Sequence, residues 1–188
     1  MPLTKLDPVT ALILIDLQEG IVALPTAHPT ADIIAKGAAL AREFRRHFLP
    51  VVLVNVTGGA PGRSDQPGPR GSFPAGFADL VQELNHQPQD IVITKRTWGA
   101  FSNPELAREL AERNVTHIVL AGVATSIGVE STARQAHELG FNVTIATDAV
   151  TDMHLDAHHN SLTRIFPRLA ETGTTAQIID LLVTGKAA

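Results

Sequence analysis

The sequence contains no cysteine, and that one absence excludes disulfides, thiolate-held zinc, iron–sulfur clusters and a cysteine nucleophile together. Positive charge is also scarce. Fifteen Lys and Arg stand against nineteen Asp and Glu, a net charge of −4 at pH 7, too acidic for a nucleic-acid binder. No apolar run approaches the roughly 20 residues of a membrane-spanning helix, so no membrane partner is expected. The opening MPLTKLDP carries a charge at Lys5 without the apolar stretch and small-residue cleavage site of a secretory signal, which makes a cytoplasmic location the default expectation. The eight His residues form neither H-x-H nor H-E-x-x-H, and VNVTGG offers no D-x-H. No glycine-rich phosphate loop of Walker or dinucleotide type follows any candidate strand. No cofactor and no metal are expected.

What is present is a chain of 188 residues, 44% hydrophobic and 18% charged, enough for one domain with a sizeable core. Short apolar runs at Ala11–Ile15, Val51–Val56, Ile91–Thr94, His117–Ala121 and Val143–Ala146 read as buried strands. Helical patterns lie between them at Ala31–Phe48, Pro104–Arg113, Ser126–Leu139 and Leu155–Ala170, with a last short helix at Thr175–Val183 after an edge strand near Thr172–Thr174. Asn103-Pro104 supplies an N-cap with Pro at N1, Gly140 closes the third helix, and Pro167 should break or kink the fourth. Strands alternating with helices predict an α/β fold: three α/β/α layers around an open, mostly parallel six-stranded sheet with helices on both faces. Gly58–Pro74 is rich in Gly, Pro and Ser and reads as a long loop, either an inconsequential insertion or a lid carrying Arg63 and Arg70 over the site.

In such a sheet, ligands bind beyond the carboxyl ends of the strands. The residues there are Asp16 after the first strand, Lys95 after the third, Gly122–Gly128 after the fourth and Asp148 after the fifth. Among aliphatic neighbours the Asp16 carboxyl should have a raised pKa, suiting it to acid or base work; its other reading is a capping carboxylate. Lys95 would oppose that shift or hold an anionic group. The 122–128 segment offers backbone N–H groups at a helix start. It also approximates a G-x-S-x-G elbow, with Ser126 as nucleophile, Asp148 or Asp152 as acid and His154, His158 or His159 as base. Trp98 and Phe101 read as pocket walls or as ordinary packing.

Three blocks in order, ALILIDLQEG, ITKRTWGAF and LAGVATSIGVESTARQAHELGFNVTIATDA, cover nearly the whole chain and resemble the isochorismatase-like hydrolases, or cysteine hydrolase superfamily, which includes nicotinamidases and N-carbamoylsarcosine amidase. The chain is most similar to a bacterial subgroup with KR-x-WGAF, IGVESTAR and an HHNSL helix start, here His158–Leu162. The resemblance implies one such domain over residues 1–188. It places the family's catalytic Asp at Asp16, its Lys at Lys95 and its Cys at Gly128, and implies a cis peptide at Val123–Ala124. It also implies that Gln18, Trp98, Val123, Ala124, Thr125 and Ile127 line the substrate site.

With glycine at the nucleophile position, the thiol amidase route is closed. Isochorismatases also carry glycine there and cleave a vinyl ether without a covalent intermediate, so the expected function is general-acid hydrolysis of an ether or vinyl ether by Asp16 with Lys95. The alternatives are a non-catalytic small-molecule binding homologue and a serine hydrolase using Ser126. The expected partner is a small, anionic substrate, met in part by Lys95 and Arg96; a homo-oligomer is expected because the family commonly forms one.

Overall fold

The computed structural model describes residues 3–65 and 73–184. One sheet is formed by β1 (Thr10–Ile15), β2 (Val51–Val56), β3 (Ile91–Lys95), β4 (His117–Val123), β5 (Asn142–Thr151) and β6 (Glu171–Gly173). The spatial order is β3-β2-β1-β4-β5-β6, and every neighbouring pair is parallel. A parallel sheet is covered on both faces, which is why its central strands read as unbroken apolar runs; every residue of β1 and β4 is buried.

The helices are α1 (Glu19–Val22), α2 (Thr30–Arg46), α3 (Pro104–Glu112), α4 (Glu130–Glu138), α5 (Leu155–Asn160) and α6 (Thr175–Thr184). Strand alternation sorts the core into two layers. Leu12, Leu14 and Leu53 pack with Leu40 and Phe44 of α2 and Ile178 of α6. On the other face Ile13, Ile15 and Val52 pack with Leu106 and Leu110 of α3 and Ala133 of α4. Each such side chain contributes about 1.5–3 kcal/mol when fully buried, so the strand ends that carry the polar residues are held by apolar packing on both sides. No described helix is long and apolar enough to cross a membrane.

Local signals place the element ends. The Asn103 side chain accepts a hydrogen bond from Glu105 N at 3.0 Å, with Pro104 at the first helical position of α3. Gly140, at φ +88°, follows α4. Beyond the unexpected short α1 and a β4 that runs on to Val123, three further elements differ from the sequence expectation. The stretch from Ser126 opens as a π-helical turn, Thr125–Val129, before α4 begins. The stretch from Leu155 divides into α5, a π turn at Ser161–Ile165 and a 3-10 turn at Phe166–Arg168, because Pro167 has no N–H to continue the ladder. β5 runs on to Thr151: a register shift against β4 between Leu120 and Gly122 lets Val150 and Thr151 pair with Gly122 and Val123.

Strand order departs from β1 in one direction through β2 to β3, and from β4 in the other through β5 to β6. The crevice beyond the carboxyl ends of β1 and β4 is therefore the topological switch point, where α/β sheets bind ligands.

Candidate active site

Asp16 follows β1 directly and has φ 51°. Left-handed backbone is uncommon for a residue with a Cβ and is found where surrounding structure enforces it. The consequence here is directional. Strict alternation would send Asp16 to the same face as Leu12 and Leu14, but its carboxylate meets Lys95, which alternates with Ile93 on the opposite face. Lys95 Nζ donates to Asp16 Oδ2 at 2.7 Å, its stem crossing the width of β2 to do so.

Both side chains are almost wholly out of water, 8% exposed for Asp16 and 2% for Lys95. Burial pushes the Asp16 carboxyl from 3.8 up to about 6, against the opposing pull of the Lys95 ammonium. Asp16 Oδ1 is buried with no hydrogen-bond partner among the described residues. An unpaired buried oxygen costs free energy, and the cost falls when a proton or a donor arrives there.

The turn Thr125–Val129 closes over this carboxylate. The Val123–Ala124 peptide bond is cis, and Ala124 O accepts hydrogen bonds from Ile127 N and Val129 N, both at 3.1 Å. A Cβ on Gly128 would lie 3.4 Å from Asp16 Oδ2 and 2.9 Å from Ile15 Cγ2. Position 128 thus abuts the acid so closely that a side chain there would press on Ile15. Gly122, at φ +117°, is required for a different reason: a Cβ there would run into the Ile15 carbonyl oxygen.

The other sequence candidates fall in several places. Val123, Ala124 and Thr125 are buried around the turn, with Ile127 half-buried beside them. Gln18 is fully buried, and its amide is used up on backbone: Nε2 donates to Val56 O and Phe77 O, and Oε1 accepts from Val56 N. It ties the ends of β1 and β2 together. Trp98 is 62% exposed. Phe101 packs on Phe141, with ring centroids 5.7 Å apart. Arg96 is exposed and lies over Gly58, and Arg63 is exposed. Arg70 lies outside the described residues.

The Ser–His–Asp arrangement does not assemble, which corrects the serine-hydrolase alternative. Ser126 Oγ donates straight to Asp152 Oδ2 at 2.8 Å, as does Ser126 N at 2.7 Å, so the carboxylate caps the turn where a base would have to stand. His158 pairs with Thr125 instead. Asp148 accepts from Thr175 N and Oγ1 and meets Lys36, capping α6. Among the described residues, no group of three or more His, Cys, Asp or Glu side chains is placed to hold a metal ion.

Two residues at the site had no sequence signal beyond helical spacing. Thr132 Oγ1 donates to Gly128 O at 2.7 Å and accepts from Ala100 N at 3.0 Å. Gln135, one turn on, accepts from Phe101 N at 3.1 Å. Helix α4 thereby keys the Gly128 turn to the loop that leaves Lys95. A separate cavity of about 490 Å³, lined by Asp7, His117, Asn142 and Arg168 among others, opens at the amino ends of β4 and β5, away from this chemistry.

Comparison with known proteins identifies the family. The isochorismatase domain family matches residues 10–177. The isochorismatase family protein YecD of Escherichia coli O157:H7 is 40% identical over 180 residues, spanning 92% of this chain and 96% of its own length. YwoC of Bacillus subtilis strain 168 is 39% identical over 178 residues, 91% of this chain and 93% of its own. The solved structure of an isochorismatase family protein from Burkholderia thailandensis matches with a TM-score of 0.92 at 40% identity, covering 95% of this chain and 98% of that one. With matches of this length over the chain and its fold, the chain belongs to the isochorismatase family of hydrolases.

Proposed function

We propose that the protein hydrolyses an ether or vinyl ether of a small anionic substrate by general-acid catalysis, with Asp16 as the acid and no covalent intermediate. The observation that carries this reading is the buried Asp16–Lys95 pair, whose carboxyl is pushed up to about 6 by burial, beside a glycine at position 128. A group of that pKa holds its proton in mildly acidic to near-neutral solution and can give it up there.

For a vinyl ether the steps balance as follows. Protonated Asp16 transfers its proton to the terminal methylene carbon, and the ether oxygen's lone pair stabilises the oxocarbenium ion that forms. Water adds to the cationic carbon and loses a proton, and the resulting hemiketal collapses to a ketone and an alcohol. The Lys95 ammonium, 2.7 Å from Oδ2, stabilises the carboxylate left behind, so the proton transfer is not penalised by an isolated buried anion. Glycine at position 128 keeps a side chain from crowding the acid and Ile15.

The test is pyruvate release from isochorismate, coupled to lactate dehydrogenase, with Asp16→Asn alongside. Release by the wild type that disappears in the variant supports the reading. Its rate should fall as pH rises through about 6, since the proton must be present on Asp16. Absence of release from isochorismate and from simpler vinyl ethers refutes it, and saturable ligand binding without turnover would then favour a binding role.

A further inference from the structure

Beside the acid site lies a buried imidazole that the hydrolytic steps above do not use. His158, on α5, is 4% exposed, and its Nδ1 is 2.8 Å from Thr125 Oγ1. Thr125 is itself fully buried and opens the turn that closes over Asp16. Burying an imidazole costs desolvation, so one committed to a single hydroxyl at this place calls for a reason.

We propose that His158 is a positioning residue for the acid site: its imidazole holds the Thr125 hydroxyl, and through it the turn whose Gly128 abuts Asp16. The chain of contacts is short. Thr125 is held from α5 by His158, Ser126 is held from the end of β5 by Asp152, and Gly128 is held from α4 by Thr132. Three anchors on three elements fix a turn that must keep water away from one carboxyl. The His158 anchor is an imidazole, the side chain whose charge changes most readily near neutral pH.

The surroundings keep it neutral. Burial lowers the His158 pKa, with help from His28 and His159, while Asp152 opposes them. The His28 ring stands 4.8 Å from that of His158, and His28 Nδ1 is itself 3.0 Å from Thr151 Oγ1. His159 stands 5.8 Å away on the same helix. Of the acidic groups on the elements around it, Asp156 on α5 takes the Ala157 N–H, and Glu130 on α4 is engaged by Ser161 Oγ at 2.6 Å. A protonated ring could only donate from Nδ1 to Thr125 Oγ1, whereas the neutral ring either donates or accepts there according to its tautomer.

The effect on Asp16 has a definite sign. Its carboxyl is raised because water is excluded. A turn released at Thr125 admits water, and the carboxyl falls back toward its ordinary range. The test uses the intact protein carrying 13C-carboxyl aspartate, with the Asp16 resonance assigned by its absence in Asp16→Asn. It needs no substrate, so its outcome is independent of the vinyl-ether reading, whose own failure would appear as absent turnover. The Asp16 midpoint should drop by about one pH unit in Thr125→Val and in His158→Leu. It should recover in Thr125→Ser, which keeps the hydroxyl, and in His158→Asn, which keeps a neutral hydrogen-bonding group near Nδ1. A midpoint that is unchanged or raised in the first two variants overturns the proposal. So does an equal drop in the conservative pair, which would show that packing alone is at work.

Discussion

Asp16→Asn should abolish turnover and remove a pH dependence of stability that the wild type carries between acid and neutral solution. Asparagine has nearly the shape of a protonated aspartic acid, so the variant imitates the acid form at every pH. In the wild type the carboxyl ionises at 3.8 in the unfolded chain and at about 6 in the fold. The folded state therefore holds this proton more tightly. The stabilisation it provides is complete below pH 3.8 and is lost as pH climbs through the folded value, with nothing further to lose well above pH 6. Two pH units at about 1.4 kcal/mol each set the loss at about 3 kcal/mol.

Other groups change stability in the same window. His117 and His158, both lowered by burial, cost stability as the solution becomes more acidic. They are common to both proteins and cancel in the pH dependence of the difference, whereas the loss of the Asp16 partner of Lys95 sets where that difference starts. Urea unfolding of wild type and variant at about pH 4, 5, 6 and 7 isolates the Asp16 contribution. Between the acid end and pH 7 the stability difference should move by about 3 kcal/mol in the variant's favour, a relative midpoint shift of roughly 1–3 M urea. A difference that stays flat with pH would refute the reasoning. It would mean that Asp16 ionises in the fold as it does in the open chain, and a resident proton for general-acid work would be gone with it.

Lys95→Met removes one member of a buried pair and leaves a carboxyl with no cation, which should cost about 3–5 kcal/mol; thermal melts measure the loss, and the pH midpoint of any residual turnover should rise above 6. Gly128→Ala brings a Cβ within 2.9 Å of Ile15 Cγ2, an overpacking worth about 1–3 kcal/mol, and fills the space beside Asp16; turnover should fall more steeply than stability when both are measured on the same preparation. Gly122→Ala drives a Cβ into the Ile15 carbonyl oxygen at a positive φ. Because backbone of the central strand cannot move aside, soluble expression should be lost.

The strands and the site's residue types were legible because they lie in strongly periodic segments. ALILI followed by Asp, IVIT followed by Lys, and HIVLA followed by a glycine-bearing turn each place a polar residue at the end of an apolar run, and the switch-point rule collects those ends in one crevice. Ser126 was ambiguous for a physical reason. A hydroxyl at a helix start serves equally as nucleophile or as anchor, and only its distance to Asp152 decides between them. Thr132 falls within the IGVESTAR block but its role is unmarked, since one i, i+4 hydroxyl acquires a role only when the loop after Lys95 comes to rest on it.

Asp16 itself marks where pattern reading ends. Period-two alternation predicts the face of every residue from Ala11 to Ile15 and then fails at the next. Carried one step further, it would place the carboxyl among Leu12, Leu14 and Phe44, opposite to Lys95. Sequence periodicity reports what a regular backbone does with its side chains, whereas a left-handed φ of 51° is a single departure held in place by the surrounding fold. That departure brings the acid to its cation and under the Gly128 turn. Residue type at a strand end names the chemical group. The backbone's break with its own period decides that the group meets a partner that alternation would have kept on the other side of the sheet.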